Sequence, residues 1–464
     1  MNDRIALLVW FVFLSVASAS DEVVVDAVDE LVAAVQNQPA GTRIRIAAGT
    51  YRLGAPLEPK TGMTIVGSGE GATVLTHVES WQPSTDSLPD PEVKLQGLDS
   101  RAYLIRIQDK AEAVEIANLT LTGPNLHGAI FSKSGRRMHW HDLTIQDFRW
   151  CGIRTFGLAE SRITKNEFID AGGKWKRGGI PGHDGGISGG AVFAAWSTDV
   201  EIADNRVSRT AKEDRSRAHY GIKGRGGKRV RIRRNTIDVN FSIEFPFENA
   251  DQFEIDHNVL HGVVSIPKHA GGKVPSSGVT YDIHHNYFTT SYAIEFVRNG
   301  VTIHHNLFDL DVEKDGGNLI SGFGRAAADG PAEFHNNLVR HPGRGVIWIN
   351  EPYNHLIVRN NHIQTRTTST PRREGLFGLN RKSDFSTIEI VDNIIECQGL
   401  SRPLLRVEES YAATIRNNRL INVSDAAQFD NPMTDAPVGL ESELSFRCGV
   451  DGELSVQRWS VEVN

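Results

Sequence analysis

The sequence predicts an all-β solenoid of stacked parallel strands, with about 12 or more coils. Three observations predict it. A short phrase with a central asparagine recurs along most of the chain, apolar residues alternate with period two around it, and composition excludes the obvious alternatives. The chain has 464 residues, 23% charged and 39% hydrophobic, which is too apolar for disorder and too polar for a bundle of membrane helices. A prior of roughly 150 residues per domain suggests three domains, but a repeat overrides that prior.

The phrase reads apolar, any, Ile, any, any, Asn, any, apolar. It appears as VEIADNRV ending at Val207, VRIRRNTI at Ile237, FEIDHNVL at Leu260, YDIHHNYF at Phe288 and VTIHHNLF at Phe308. It continues as AEFHNNLV at Val339, LIVRNNHI at Ile363, IEIVDNII at Ile395 and ATIRNNRL at Leu420. SRITKNEF, ending at Phe168, fits as well, and VEIANLTL and MHWHDLTI are slightly shifted early versions. The polar markers are Asn118, Asp142, Asn166, Asn205, Asn235, Asn258, Asn286, Asn306, Asn337, Asn361, Asn393 and Asn418, with intervals between 20 and 39 residues. Asn tolerates left-handed backbone and hydrogen-bonds its neighbours, so markers stacked at one corner are expected to form an amide ladder. Each coil then buries its apolar side chains against the next.

The ends follow. Arg4, the apolar run Ile5 to Val16 and Ala17-Ser18-Ala19 read as a signal peptide over 1–19, too short to span a bilayer. The mature protein is therefore expected to be secreted or periplasmic, with no membrane span, and monomeric. Val28, Leu31, Val32 and Val35 have helical spacing between Asp26 and Gln38, which predicts an amphipathic helix capping the first coil. Residues 20–425 form the solenoid with this cap, Trp81 to Asp99 reads as a loop, and 426–464 is a C-terminal tail or cap. Cys151, Cys397 and Cys448 exclude a disulfide scaffold and any paired-cysteine zinc site, and leave one thiol unpaired within the chain.

The phrases resemble those of right-handed parallel β-helix proteins of the pectin-lyase-like superfamily, over roughly residues 40 to 425. Ile44 to Leu75, IRIAAGTYRLGAPLEPKTGMTIVGSGEGATVL, resembles the opening coils of that superfamily. The resemblance implies the fold; the functions hosted on it are many.

A second strand precedes each Asn phrase: GAIFSK, CGIRTFG, GAVFAAW, YGIKGRG, FSIEFPF, VVSIPKH, YAIEFVR, NLISGFG, GVIWINE, GLFGLNR and PLLRVEE. Where the central apolar residue points inward, its successor points out. The outward column is then Phe131, Arg154, Phe193, Lys223, Glu244, Ser265, Glu295, Ser321, Trp348, Gly378 and Arg406. Parallel strands lie about 4.8 Å apart, so Lys223 and Glu244 are neighbours and Glu295 lies about 10 Å beyond Glu244. Arg225, Lys268, His269, Arg298 and Arg325 fall near the same face. The longest coil carries KWKRGGIPGHDGGISGG, with Trp175 to stack on a sugar and His183 or Asp184 to move a proton.

Net charge is −7, yet Asn205 to Arg234 holds twelve Lys or Arg and two acidic residues. Such a stretch predicts an anionic partner, an acidic polysaccharide rather than nucleic acid, for which no recognised motif is present. The pairs His284-His285 and His304-His305 invite a metal reading, but they occupy the variable positions of the repeat.

The expected activity is cleavage of a uronate-containing or sulfated polymer, by β-elimination ahead of hydrolysis. The outward column, with the resemblance for Lys223, Arg225 and Glu244, suggests Lys223 as base, Arg225 and Arg298 as clamps on an acidic group, and Glu244 and Glu295 as calcium ligands or acid/base. His183 is a reserve proton carrier, and Lys268, Trp175 and Trp348 are further substrate contacts. The sequence departs from the lyases related to chondroitinase B and alginate lyase, which pair Lys with Arg one coil later, where Glu244 stands here. The RxPxxR pattern of pectate lyases and the NTD, DD and GHG signatures of polygalacturonase-like hydrolases are absent. Hydrolysis would use Glu244 and Glu295, with a separation of about 6.5–9.5 Å implying inversion. An epimerase, matched only through His183-Asp184, and a glycan-binding surface protein without chemistry are the remaining alternatives.

Overall fold

The computed structural model describes residues 22–69, 71–81, 102–148, 150–171, 174–175, 187–210, 219–246, 250–267, 280–290, 292–295, 300–310, 318–321, 331–340, 345–349, 355–366, 376–379, 387–398, 402–407, 412–421, 423–424, 445–448 and 454–457. The signal-peptide segment and nearly all of the Trp81–Asp99 loop lie outside them.

Strands stack in parallel register from the first coil, where Glu22–Val25 pairs with Arg43–Ile46, to the last, where Thr387–Val391 pairs with Ala412–Arg416. The helix runs Val28–Asn37 and buries Leu31, Ala34 and Val35, the apolar stripe that the spacing predicts. Asp29 and Glu30 in its first turn suit the positive end of the helix dipole. It ends where Gln38, forced extended by the following Pro39, caps Ala34 O with its backbone N–H at 3.1 Å.

The Asn phrase contains two strands joined by a corner, for example Phe253–Asp256 and Val259–Leu260 around Asn258. Ten of the predicted markers, Asn166 through Asn418, form one continuous buried ladder. In each step an amide Nδ2 donates to the next Asn Oδ1, as from Asn258 to Asn286 at 2.9 Å and Asn286 to Asn306 at 3.0 Å. The backbone N–H donates to the same acceptor, and Nδ2 also reaches a carbonyl of the preceding coil, such as Asn286 to Ile255 O at 2.8 Å. Fully paired amides are what burial at this corner demands.

The left-handed residue at the corner is the one before the ladder Asn: Arg234, His257, His285, His305 and Asn336 all have φ between 52° and 55°. Asn118 and Asp142 instead take the left-handed position themselves, with φ 55° and 51°. Leu143, one residue later, holds the ladder position and donates its N–H to Asn166 Oδ1 at 3.1 Å. The two early markers are thus one residue out of register with the ladder. Inside, each column is apolar: Ile153, Val192, Ile222, Ile243, Val264, Ile294 and Ile320 are all buried. Each such side chain contributes about 1.5–3 kcal/mol by leaving water. Ser445–Cys448 and Leu454–Gln457 in the tail pair antiparallel.

Candidate functional site

The outward column is in register as expected. Phe131 aligns with Arg154, Arg154 with Phe193, Phe193 with Lys223 and Lys223 with Glu244. Glu244 aligns with Ser265, Ser265 with Glu295, Glu295 with Ser321 and Ser321 with Trp348. Gly378 and Arg406 complete the row.

Its N-terminal third is not a solvent-facing groove. Arg154 is 1% exposed, with its guanidinium carbon 3.9 Å from the Trp150 ring centroid and 4.6 Å from those of Phe156 and Phe193. With Tyr103, Phe131 and Cys151 these rings form a second, smaller apolar cluster outside the main core. Cation–π contact lets the arginine lie among aromatic faces. Burial pushes the Cys151 thiol up to about 11, so it is not a nucleophile.

Polar chemistry starts at Lys223. Its Nζ donates to Glu244 Oε1 and lies 3.9 Å from the Tyr220 ring centroid, and the two side chains are only 13% and 15% exposed. Burial lowers the Lys223 pKa, opposed by the Glu244 carboxylate. Arg225, two residues on and on the same outward face, forms no ion pair among the described residues, and burial lowers its pKa also. One coil past Glu244, the Ser265 hydroxyl donates to Glu295 Oε1. Burial raises the Glu295 pKa, against hydrogen bonds from Ser265 and Tyr292, with the Glu244 charge raising it further. The Tyr292 hydroxyl accepts from Ser321 Oγ at 2.6 Å, and burial pushes its pKa up to about 12. Trp348 closes the row. Its indole packs against Gly378, where a Cβ would fall 2.1 Å from Cε3, so a larger residue there would displace the ring.

The described residues therefore bring together Lys223, Arg225, Glu244 and Glu295, with Trp348 two coils beyond Glu295. His183, Lys268, His269, Arg298 and Arg325 lie outside the described residues. Trp175 sits in the short strand Lys174–Trp175, paired antiparallel with Ile187–Ser188, so the long insertion doubles back on itself. Tyr292 is the member that pattern reading missed; it opens the aligned segment YAIEFVR two residues before the inward Ile294, and alternation assigns it no outward role. Among the described residues no group of three or more His, Cys, Asp or Glu is placed to hold a metal ion. Glu244 faces an ammonium and Glu295 faces hydroxyls, which does not fit calcium shared between them.

The basic stretch divides between two faces. Lys228, Arg229, Arg231, Arg233 and Arg234 belong to the neighbouring column and pair with Asp251, Asp199, Glu254, Asp256 and Asp204 of adjacent coils. Their charge is largely answered there, and Lys223 and Arg225 stand on the groove side; Lys212, Arg215 and Arg217 lie outside the described residues. The histidines stack in two rows, His257–His285–His305 at 5.0 and 5.2 Å and His284–His304–His335 at 5.0 Å each.

No family model matches the chain, and no curated protein matches it. Among solved structures, it is similar to the catalytic unit of a thermostable GH87 α-1,3-glucanase from Streptomyces thermodiastaticus, at 11% identity and a TM-score of 0.53, covering 89% of this chain and 72% of that one. It is also similar to the tailspike protein of E. coli bacteriophage HK620, solved in complex with a hexasaccharide, at 13% identity and a TM-score of 0.56, covering 88% and 74%. At such identities the likeness concerns the fold. With the parallel register of every described coil, it makes the chain a right-handed parallel β-helix.

Proposed function

We propose that this chain is a carbohydrate-active enzyme that cleaves an acidic polysaccharide laid along the outward column, by β-elimination. The observation that carries the reading is the half-sequestered lysine: Lys223, its pKa lowered by burial, beside the partly buried cation Arg225 on the same strand face. Arg225 is suited to neutralise a uronate carboxylate, which acidifies the adjacent C5 proton. Lys223 Nζ, once it has released its own proton to solvent, then takes that proton as general base, the C4–O bond breaks, and the departing oxygen collects a proton from solvent or a nearby acid. Glu244 orients the amine and takes up the positive charge that forms on it. The partner is the polymer chain itself, and the secreted or periplasmic setting follows from the leader sequence; among the described residues no helix is long and apolar enough to cross a membrane.

A second reading has a specific observation behind it. Glu244 and Glu295 lie two strand spacings apart, about 10 Å between backbones, and burial favours a protonated Glu295. That is an acid and a base for inverting hydrolysis. The two readings part in one assay. Purified protein is offered polygalacturonate, alginate, chondroitin sulfate and α-1,3-glucan, with and without calcium. New ultraviolet absorbance from an unsaturated uronate supports elimination, and its loss in Lys223→Ala assigns the base. New reducing ends without that absorbance transfer the chemistry to the two glutamates. Neither signal on any polymer sinks both.

A further inference from the structure

At the end of four outward strands the chain turns through a left-handed residue. In four successive coils that residue is Ser134, Gly157, Trp196 and Gly226, with φ 56°, 62°, 51° and 55°. The registers Lys133 with Phe156, Phe156 with Ala195 and Ala195 with Arg225 place them at one corner. Glycine is the residue such backbone favours, and a bulky side chain there is a true outlier. Trp196 also gains little from burial, since it is 47% exposed. The other large exposed hydrophobic residues among those described, Val24 and Ile421, lie at the two ends of the solenoid. Folding thus offers no reason for a tryptophan at this corner, and strained residues of this sort gather where function requires them.

Its surroundings suggest the function. The indole is 6.0 Å from the Phe156 ring at 30°, and Phe156 in turn lies against the Arg154 guanidinium. The aromatic cluster therefore backs one part of the ring. The coils on both sides present Gly157 and Gly226 at the same corner, which leaves the ring standing proud of its neighbours. The residue before Gly226 is Arg225, the groove-side cation.

We infer that Trp196 is a stacking platform for a pyranose ring, a subsite on the N-terminal side of Lys223 and Glu244. Indole offers a flat apolar face to the C–H face of a sugar while its edge stays wet. This inference rests on the proposed glycan-cleaving function and adds to it a position and a direction: the polymer continues past Arg225 toward the N-terminal coils.

The test uses the full chain with Trp196→Gly, which installs the residue of the flanking coils, and Trp196→Phe, which keeps a ring. Binding is read as retardation in native gels containing polygalacturonate, alginate, chondroitin sulfate or α-1,3-glucan, and folding as the thermal midpoint. The expected result is weaker binding of the retarding polymer by about tenfold in Trp196→Gly, largely restored in Trp196→Phe, with a thermal midpoint equal to or above wild type. Unchanged retardation, or a midpoint that falls with affinity intact, overturns the subsite alone. A wild-type chain that none of the four polymers retards overturns the glycan reading beneath it.

Discussion

Lys223 and Glu244 face one another across adjacent coils, ammonium to carboxylate, each mostly withdrawn from water, with the Tyr220 ring beneath the lysine. A pair in such a position is both a structural element and a candidate catalytic unit, and the two roles separate by experiment. Lys223→Met or Glu244→Leu alone leaves an uncompensated, poorly hydrated charge and is expected to cost about 3 kcal/mol. The double substitution removes both charges and should return to within about 1 kcal/mol of wild type. Turnover stays abolished in all three. Denaturant midpoints and the polymer assay give the answer, and an active double variant would remove the pair from the mechanism.

Glu295 carries the next prediction. Its pKa is raised by burial and held down by hydrogen bonds from Ser265 and Tyr292. Tyr292→Phe removes one of these, so the Glu295 pKa moves further up. If Glu295 works protonated, the alkaline limb of the pH–rate profile shifts to higher pH; if it works ionised, the acid limb does. A profile that does not move shows that Glu295 does not titrate in the reaction.

The asparagine ladder should be sensitive at its middle. Asn286→Ala removes the acceptor of the Asn258 backbone N–H and of one Asn258 Nδ2 donation, and the Nδ2 donor to the Ile255 carbonyl, while Asn306 Oδ1 keeps only the backbone N–H of residue 286. With about 1–3 kcal/mol for each unsatisfied buried group, the loss is expected to exceed about 3 kcal/mol. Asn286→Asp keeps the acceptor but loses the Nδ2 donations to Ile255 O, His284 O and Asn306 Oδ1, and should be destabilised as well. Urea midpoints compare the two with wild type.

The stacked histidines set a pH dependence of stability. Burial, helped by neighbouring imidazoles, lowers His285 and His305 to about 4 and His335 to about 3, from an ordinary value of 6.5. The folded chain therefore holds fewer protons than the unfolded chain between those values. Their contribution is complete above about pH 6.5 and is lost as pH falls toward 4. Asp282 stands 2.8 Å from His304, and Glu254 3.4 Å from His284. Replacing His285 and His305 by Asn, the residue that follows at position 336, should flatten the slope of stability between pH 7 and pH 4.5. An unchanged slope would mean that these rings take up protons in the folded chain as readily as in the unfolded one.

Much of this molecule is legible in the sequence because a solenoid converts periodicity directly into contact. The Asn phrase fixes one corner, the inward apolar residue fixes the strand face, and alternation then fixes the outward row. Lys223, Glu244, Ser265, Glu295 and Trp348 follow in register from these local rules alone. The same rules say nothing about what lies over the row. Arg154 satisfies them as well as Lys223 does, yet Trp150, Phe156 and Phe193 fold over it, because cover depends on side chains from several coils.

The sequence by itself determined the fold class, the capping helix, the column of outward residues and the adjacency of Lys223 and Glu244, since each depends on spacing within or between neighbouring repeats. Only the tertiary structure decided the rest. It showed that the basic residues from Lys228 to Arg234 are answered by acids of adjacent coils, that the left-handed turn falls one residue before the ladder Asn, and that Tyr292 joins Glu295. It also placed Trp196 where flanking coils have glycine. Those outcomes depend on burial and on charge across coils, which a linear pattern does not contain.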